Sequence, residues 1–174
     1  MTATSTHETT ITADPDVPLI RITREFDAPP AKVFRAHTDP ELYAQWIGPR
    51  RYETRVEVFD CRTGGSWRFV QSGGGAEYAF HGCFHEVRPS ELIVQTFTYE
   101  GEPDHVSLER LVLEDLGDGR TRVHFGETYH AFNPVLRVLL ERYVHRFISK
   151  DNDKLVKQAI EQGVARQRSR RPVT

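Results

Sequence analysis

Apolar and polar residues alternate along much of the chain between residues 19 and 132, with the period of two that is typical of strands with one buried face. The first such segment places Ile20, Ile22, Arg24 and Phe26 on one side. The later segments are separated by short linkers containing glycine, proline or serine, and linkers of that length are typical of hairpins. The pattern therefore predicts an antiparallel sheet of about seven strands, at residues 19–26, 56–59, 66–71, 77–87, 92–99, 106–116 and 121–132.

Two short segments between the first and second strands have the spacing of helices instead. The sequences AKVFRAHT (residues 31–38) and ELYAQWIG (residues 41–48) each follow an aspartate and one or two prolines. Asp27 and Asp39 are suited to cap a helix start, and proline is tolerated in the first turn because its missing N–H has no helical partner there. We expect the second helix to end at Gly48, before a proline.

A longer amphipathic segment follows the last predicted strand. Asn133 and Pro134 are typical of a helix start, and an apolar stripe runs from Leu136 to Ala159. We therefore predict an α+β fold in the order strand, two helices, six strands, helix. The sheet would wrap around the C-terminal helix at 133–163 and leave a space between the two, because each presents an apolar face to the other.

Composition restricts the functional classes. Hydrophobic residues make up 38% of the 174 residues, charged residues 28%, and the formal net charge is −2, so the overall charge does not favour nucleic-acid binding. No apolar run is long enough to span a membrane. The two cysteines form no CxxC pair, which favours a reducing cytoplasm. We expect a single domain at residues 18–164, a flexible tail at 1–17 and a basic tail at 165–174.

Three motifs occur in a characteristic order: FDAPPAKVFRAHTDPELYAQWIGP (residues 26–49), CRTGGSWRF (61–69) and HGCFHEVRPSELIVQTF (81–97). Together they resemble the START/Bet v 1-like helix-grip superfamily, and most closely its homologues of the Hsp90-ATPase activator, over residues 19–129. The predicted C-terminal helix is similar instead to the polyketide cyclase branch. The resemblance implies a helix-grip fold with a hydrophobic cavity for a small organic ligand, in a superfamily where only some members are enzymes.

Aromatic residues are the natural candidates for the wall of such a cavity. Trp46, Trp67 and Phe69 are the first candidates, although packing in the core is an equally good explanation of the same residues. Asp151 interrupts the apolar stripe of the last helix and is a candidate polar contact; a helix break there is the alternative. The remaining predicted ligand-binding residues are Phe84, Phe125, Glu127, Tyr129, Tyr143 and Phe147.

The hairpin around Gly117-Asp118-Gly119 carries the most specific chemical prediction. A turn at that place pairs Leu113 with Val123 and Leu111 with Phe125, so the next pair on the same face is Glu109 with Glu127. Two opposed carboxyl groups in a cavity would raise at least one pKa, and could share a proton, hold a cation or act as acid and base. Alternatively, this end opens to solvent, the register differs by two residues, or an arginine (Arg24, Arg68 or Arg110) neutralises one carboxylate.

No metal or cofactor is predicted. His81 and His85 lie four positions apart on one predicted strand, about 13 Å, which is too far to share an ion. Cys61 and Cys83 have no evident base beside them and are interpreted as packing residues.

Three functions follow from these observations. The favoured one is the binding of a small hydrophobic molecule without catalysis. The second is an enzyme of the polyketide cyclase or aromatase kind, in which a cavity carboxylate enolises the substrate. The third is a chaperone-interaction module that uses the sheet surface. The segment 134–148 is apolar on more than one side, which predicts a homodimer contact or a lid over the ligand.

Overall fold

The computed structural model describes residues 9–14 and 17–128, which form one antiparallel sheet of eight strands with two short helices on one face. The strands lie in the order β1-β2-β8-β7-β6-β5-β4-β3. In chain order the elements are β1 Thr10–Ala13, β2 Leu19–Phe26, α1 Pro30–Thr38, α2 Pro40–Tyr43, β3 Glu53–Phe59, β4 Ser66–Gly73, β5 Ala76–Arg88, β6 Leu92–Tyr99, β7 Val106–Gly117 and β8 Arg120–Thr128. The predicted antiparallel sheet is confirmed.

The sheet follows from hairpins joined in sequence. Each strand from β3 to β8 pairs with the next one, and β2 pairs antiparallel with β8, so β2 and β1 extend the sheet beyond β8 to one edge, while β3 forms the other edge. The helices α1 and α2 connect β2, which lies next to one edge of the sheet, to β3, which forms the other edge. The helix α1 contacts β7 and β8. We call the face that carries α1 the inner face and the opposite one the outer face.

The strand β1 corrects one prediction. Residues 10–13 belong to the segment expected to be a flexible tail, but they pair with β2, with Ile11 opposite Ile22. The side chains of this strand are at most half-buried, in keeping with its low apolar content. The prediction was wrong because the backbone of β2 is an open edge, and its hydrogen-bonding groups can order a neighbouring segment rich in β-branched residues.

The starts of the two helices differ from each other. Asp39 caps α2 as predicted, since its Oδ1 accepts hydrogen bonds from the backbone N–H groups of Glu41 at 3.1 Å and Leu42 at 3.4 Å. Asp27 does not cap α1; the N-cap residue is Pro29, which makes no side-chain cap bond. The Asp27 prediction failed because the two prolines that follow move the helix start to Pro30.

The second helix is also shorter than the predicted 41–48, because α2 ends at Tyr43. The following residues form tight turns in which Gln45 N–H donates to the Leu42 carbonyl and Trp46 N–H to the Tyr43 carbonyl, three residues back in each case. The indole N–H of Trp46 donates to the Ala36 carbonyl of α1 at 2.9 Å. That bond between the two segments holds the tryptophan against α1.

A buried aromatic cluster forms the core beneath the helices. Trp67 and Phe69 of β4 stack with ring centroids 5.4 Å apart, and both are almost fully buried, as is Phe84 of β5. Buried Thr121 of β8 donates its hydroxyl proton to the Ala28 carbonyl at 2.6 Å, which fixes the segment before α1 to the sheet. This core holds the strands whose polar residues form the site described below.

Several predicted features lie outside the described residues and stay predictions. They are the helix at 133–163, the homodimer contact through 134–148, the basic tail at 165–174, and the site residues Tyr129, Tyr143, Phe147 and Asp151. Within the described ranges, no helix is both long and apolar enough to cross a membrane.

Candidate functional site

A cavity of about 310 Å³ lies on the inner face, where β2, β8, β7 and β6 meet α1 and the turn after α2. Most of its wall is apolar, and a small set of polar side chains interrupts that wall. The lining residues are Thr9, Ile22, Arg24, Phe26, His37, Tyr43, Trp46, Ile47, Ile93, Gln95, Phe97, Glu109, Leu111, Val123, Phe125 and Glu127.

Glu109 and Glu127 face each other across β7 and β8, so the predicted register is confirmed. Leu113 pairs with Val123 and Leu111 with Phe125, as a turn at Gly117-Asp118-Gly119 requires. A register shift near the turn, between Asp115 and Gly117, does not reach the acidic pair. Both carboxyl groups line the cavity, and directly opposed Cβ atoms lie about 4.5 to 5.5 Å apart.

The surroundings of the pair favour its protonated forms. Glu109 is 8% exposed, and burial together with the charge of Glu127 raises its pKa to about 8, against the opposing effect of a hydrogen bond from Gln95 Nε2 at 2.6 Å. Burial also raises the pKa of Glu127, while a hydrogen bond with Ser107 opposes that rise. At neutral pH the pair therefore holds at least one proton.

The three arginines considered as neutralising partners lie in different places. Arg68 and Arg110 alternate with inner-face residues, so both are on the outer face, away from the cavity. Arg24 does line the cavity, and burial lowers its pKa to about 10. Its Nη1 donates to Thr9 Oγ1 at 3.4 Å, and its guanidinium lies 4.9 Å from the centre of the Phe26 ring.

Four polar residues of the wall were not predicted from the sequence: Thr9 before β1, His37 of α1, Tyr43 of α2 and Gln95 of β6. His37 Nδ1 lies 2.9 Å from the Val33 carbonyl, which can only accept, so Nδ1 carries the proton. Burial lowers the pKa of His37, which leaves the ring neutral and Nε2 as an acceptor. Burial, followed by the charge of Glu109, raises the pKa of Tyr43.

One available signal indicated Gln95. It pairs with Glu109 across β6 and β7, and the alternation of β6 places it on the same face as Ile93 and Phe97. No comparable local signal exists for His37, because the helical pattern of α1 does not show which part of the sheet it covers.

The predicted aromatic wall divides into two groups. Trp46 and Phe125 line the cavity, and the Trp46 ring packs edge-on against His37 at 4.8 Å and Tyr43 at 5.1 Å between centroids. The other three, Trp67, Phe69 and Phe84, are in the core and not among the lining residues. Their exclusion has a simple cause, since close ring contacts with each other and with neighbouring aromatics occupy the space in front of them.

Other reactive groups lie away from this arrangement. In the described part of the chain, no group of three or more histidine, cysteine, aspartate or glutamate residues could hold a metal ion. Burial and the neighbouring Asp60 raise the pKa of Cys61 to about 11, which disfavours a thiolate at neutral pH. The chemistry that the cavity offers is therefore that of carboxyl groups, a neutral imidazole, an amide, a guanidinium and the hydroxyl groups of Tyr43 and Thr9.

Solved structures with the same fold have low sequence identity to this chain. A protein from Arthrobacter aurescens, determined by NMR in solution, matches with a TM-score of 0.76 and 18% identity, over 88% of this chain and 91% of its own. A protein from Staphylococcus epidermidis matches with a TM-score of 0.73 and 23% identity, over 87% and 94% respectively. DynU16, from the dynemicin biosynthetic locus, matches with a TM-score of 0.61 and 20% identity, over 86% of this chain and 49% of its own. A comparison with functionally curated proteins found no match.

The sequence profile of one family covers the part of the chain that contains α1, α2 and strands β3 to β8. It matches residues 27–135, which is more than half of the 174 residues. At these low sequence identities, the solved structures support the fold alone. The chain belongs to the family described as Activator of Hsp90 ATPase homolog 1-like protein.

Proposed function

We propose that this protein binds a small, largely apolar organic molecule in the inner-face cavity, with Glu109 and Glu127 at the polar end of the site. The observation that carries the proposal is the position of this carboxyl pair in an otherwise mainly apolar cavity of about 310 Å³. Pockets of this size and character, with a few convergent polar groups, are typical of small-molecule sites.

The energetics of the pair support the same conclusion. Removing a carboxyl group from water disfavours its charged form, and the two groups also repel each other when both are ionised. Two apolar side chains at these positions would avoid that cost. Strongly perturbed carboxyl groups in a cavity are therefore candidates for a functional role rather than a structural one.

Ligand-induced stabilisation tests the proposal directly. A ligand that binds only the folded state raises the melting temperature, so a panel of apolar compounds of graded size should contain some that do so. Ile22→Trp adds volume at a residue of the cavity wall and should abolish the shift. Arg21→Trp is the matched control, because Arg21 is exposed on the outer face of the same strand.

Two results would contradict the proposal. One is the absence of any shift across a chemically diverse panel. The other is an undiminished shift in folded Ile22→Trp, which would place the binding site elsewhere.

A second candidate is an enzyme of the polyketide cyclase kind that uses the same cavity. It is supported by the presence of a carboxyl group that keeps its proton at neutral pH, beside a second one that can act as a base. The fold is also shared with DynU16, a protein of a biosynthetic locus. Glu127→Gln separates the candidates: an enzyme should lose about a hundredfold or more in turnover, whereas a binding protein should change only in affinity.

The chaperone-interaction hypothesis has the family's description as its support. Co-precipitation with a purified Hsp90-type chaperone tests it. Failure to co-precipitate would remove this hypothesis and leave the cavity proposal unchanged.

A further inference from the structure

The polar groups that share the cavity with the acidic pair are mainly hydrogen-bond acceptors, and the hydroxyl of Tyr43 adds an O–H donor near Glu109. Glu109 and Glu127 provide carboxylate oxygens, and Gln95, whose amide nitrogen donates to Glu109 at 2.6 Å, retains a carbonyl oxygen as acceptor. His37 adds Nε2, since its Nδ1–H is bound to the Val33 carbonyl. These groups come from α1, β6, β7 and β8, so the acceptors approach the cavity from several sides.

The guanidinium of Arg24 is directed away from this acceptor set. Arg24 pairs with Val123 of β8, and Glu127 is four residues further along that strand, about 13 Å in an extended chain. Its hydrogen bond to Thr9 and its position over Phe26 place the positive charge on the side of β1. Arg24 therefore does not occupy the space next to the acidic pair.

The negative charges of Glu109 and Glu127 favour the binding of a cation next to them. The ionised pair carries two negative charges, and Arg24 is the one permanently cationic side chain on the described wall. In the unliganded protein a proton removes one of these two negative charges, since the pKa of Glu109 is about 8. A cation of the ligand could replace that proton.

The rest of the wall suits the remainder of such a molecule. Phe125 lies two residues before Glu127 and Phe97 two residues after Gln95, each on the same face as its polar neighbour. Aromatic faces next to a carboxylate stabilise an organic cation further. The aliphatic part of the wall favours an apolar body.

Resting on the proposed function, we infer that the ligands of this cavity are lipophilic amines, whose ammonium group donates to Glu109, Glu127 and the neighbouring acceptors while the apolar body fills the wall. A primary ammonium group has three donors and no acceptor, which complements this acceptor set. Binding displaces the proton that the acidic pair holds, and that proton passes to the buffer. The other titratable groups that face the site are His37 from α1, Tyr43 from α2 and Arg24 from β2.

The test uses two compounds that differ in a single group, naphthylmethylamine and naphthylmethanol, with the full chain. Isothermal titration calorimetry at pH 7, in phosphate and in Tris, measures affinity and the number of protons exchanged. The amine should bind about tenfold or more tightly than the alcohol, as expected for charge-assisted hydrogen bonds. It should release close to one proton, since a group with a pKa of about 8 is mostly protonated at pH 7. The alcohol should release none.

Two variants test whether the acidic pair causes the preference for the amine and the release of a proton. Replacing both carboxyl groups, Glu109→Gln with Glu127→Gln, should remove the preference for the amine and the proton release. Binding of the alcohol by this variant shows that its cavity is intact. Glu114→Gln is the control, because Glu114 is an outer-face carboxylate of the same strand as Glu109 and should leave the preference unchanged.

The possible results separate this inference from the proposed function. Equal affinity for the two compounds, or an amine preference that persists in the double variant, would overturn the inference while leaving ligand binding supported. If neither compound binds, and amines and alcohols with smaller and larger apolar groups also fail, the proposed function and this inference are both wrong.

Discussion

Two glutamates of β7 show how differently the two faces of the sheet treat the same side chain. Glu109 lies on the inner face, where burial and Glu127 raise its pKa to about 8. Glu114 lies on the outer face, where Oε2 accepts a hydrogen bond from Arg122 Nη1 at 3.1 Å and lies 3.0 Å from His124 Nε2. These bonds, that of His124 first, lower the pKa of Glu114. Whether the pKa of a glutamate on β7 is raised or lowered therefore depends on the face of the strand on which it lies.

The other residues of the two faces differ in the same way, with paired charges on the outer face and buried groups on the inner face. On the outer face, Arg68 forms two hydrogen bonds with Glu100, at 2.7 and 2.9 Å, and another with Glu57. Hydrogen bonding to Glu100 raises the pKa of Arg68. The inner face instead combines an aromatic core with a cavity whose acidic groups face each other. The buried apolar contacts that favour folding therefore lie on the inner face, where the burial of the acidic pair opposes them.

The largest effect is expected from the aromatic core. Phe69→Ala removes a fully buried ring that contacts Trp67, Tyr43, Phe80 and Phe97, and should reduce the free energy of unfolding by about 3–5 kcal/mol. Guanidinium unfolding measures it. Leu108→Ala, at an exposed position of β7, is the control and should stay within about 0.5 kcal/mol of the parent. Similar losses in both variants would show that the inner face is not the source of stability.

The second effect concerns the acidic pair and has a defined pH range. Between pH 4.5 and 8, folded Glu109 keeps a proton that the unfolded chain has lost. The free energy of unfolding should therefore fall as pH rises through this range, by up to about 1.4 kcal/mol per pH unit for one group, and level off above it. Glu109→Gln should reduce this slope, so that the variant exceeds the parent in stability at pH 9.

Glu114→Gln, on the same strand, should change the pH dependence of the free energy of unfolding in the opposite direction. Because the pKa of Glu114 is lowered in the folded state, its contribution is present above the ordinary pKa and is lost as pH falls. The variant should therefore be less stable than the parent at neutral pH, and this difference in the free energy of unfolding should disappear in acid. Urea titrations at a series of pH values measure both variants, and slopes of the same sign would contradict the difference between the faces.

The smallest effect is expected for the ion pairs of the outer face. Arg68→Gln removes contacts with Glu100 and Glu57, but exposed pairs contribute little because water and salt screen them. Thermal unfolding at low and high salt should show a small difference from the parent that disappears at high salt. A large, salt-independent loss would mean that the outer face contributes to stability as the inner face does.

The acidic pair was predictable from the sequence because a hairpin is a local structure. The glycines at 117 and 119 mark the turn, and the alternation on either side defines which residues share a face. Asp39 was predictable for the same reason, since a cap bonds to residues directly after it. Predictions that depended on longer-range contacts were less successful: β1 needs the open edge of β2, and α2 is shortened where Trp46 turns back to α1.

The division of the aromatic residues could not be predicted from local pattern. Trp67 and Phe125 both occupy inner-face positions of alternating strands, yet one is buried in the core and the other lines the cavity. The difference arises from neighbours distant in sequence, since aromatic rings from β5 and β6 fill the space around Trp67 and Phe69. An alternating pattern identifies the face of a strand, but not the volume in front of it.

The sequence by itself determined the antiparallel sheet, the hairpin register and the opposition of Glu109 and Glu127, because each depends on residues close together along the chain. Only the tertiary structure decided that His37, Tyr43, Gln95 and Arg24 share a cavity with that pair, and that Arg24 is held on the side of β1. These residues come from α1, α2, β6 and β2, and packing brings them together. The physical reason is that hydrogen-bond ladders and turns are specified locally, whereas the shape and charge of a cavity result from side chains that meet across the whole fold.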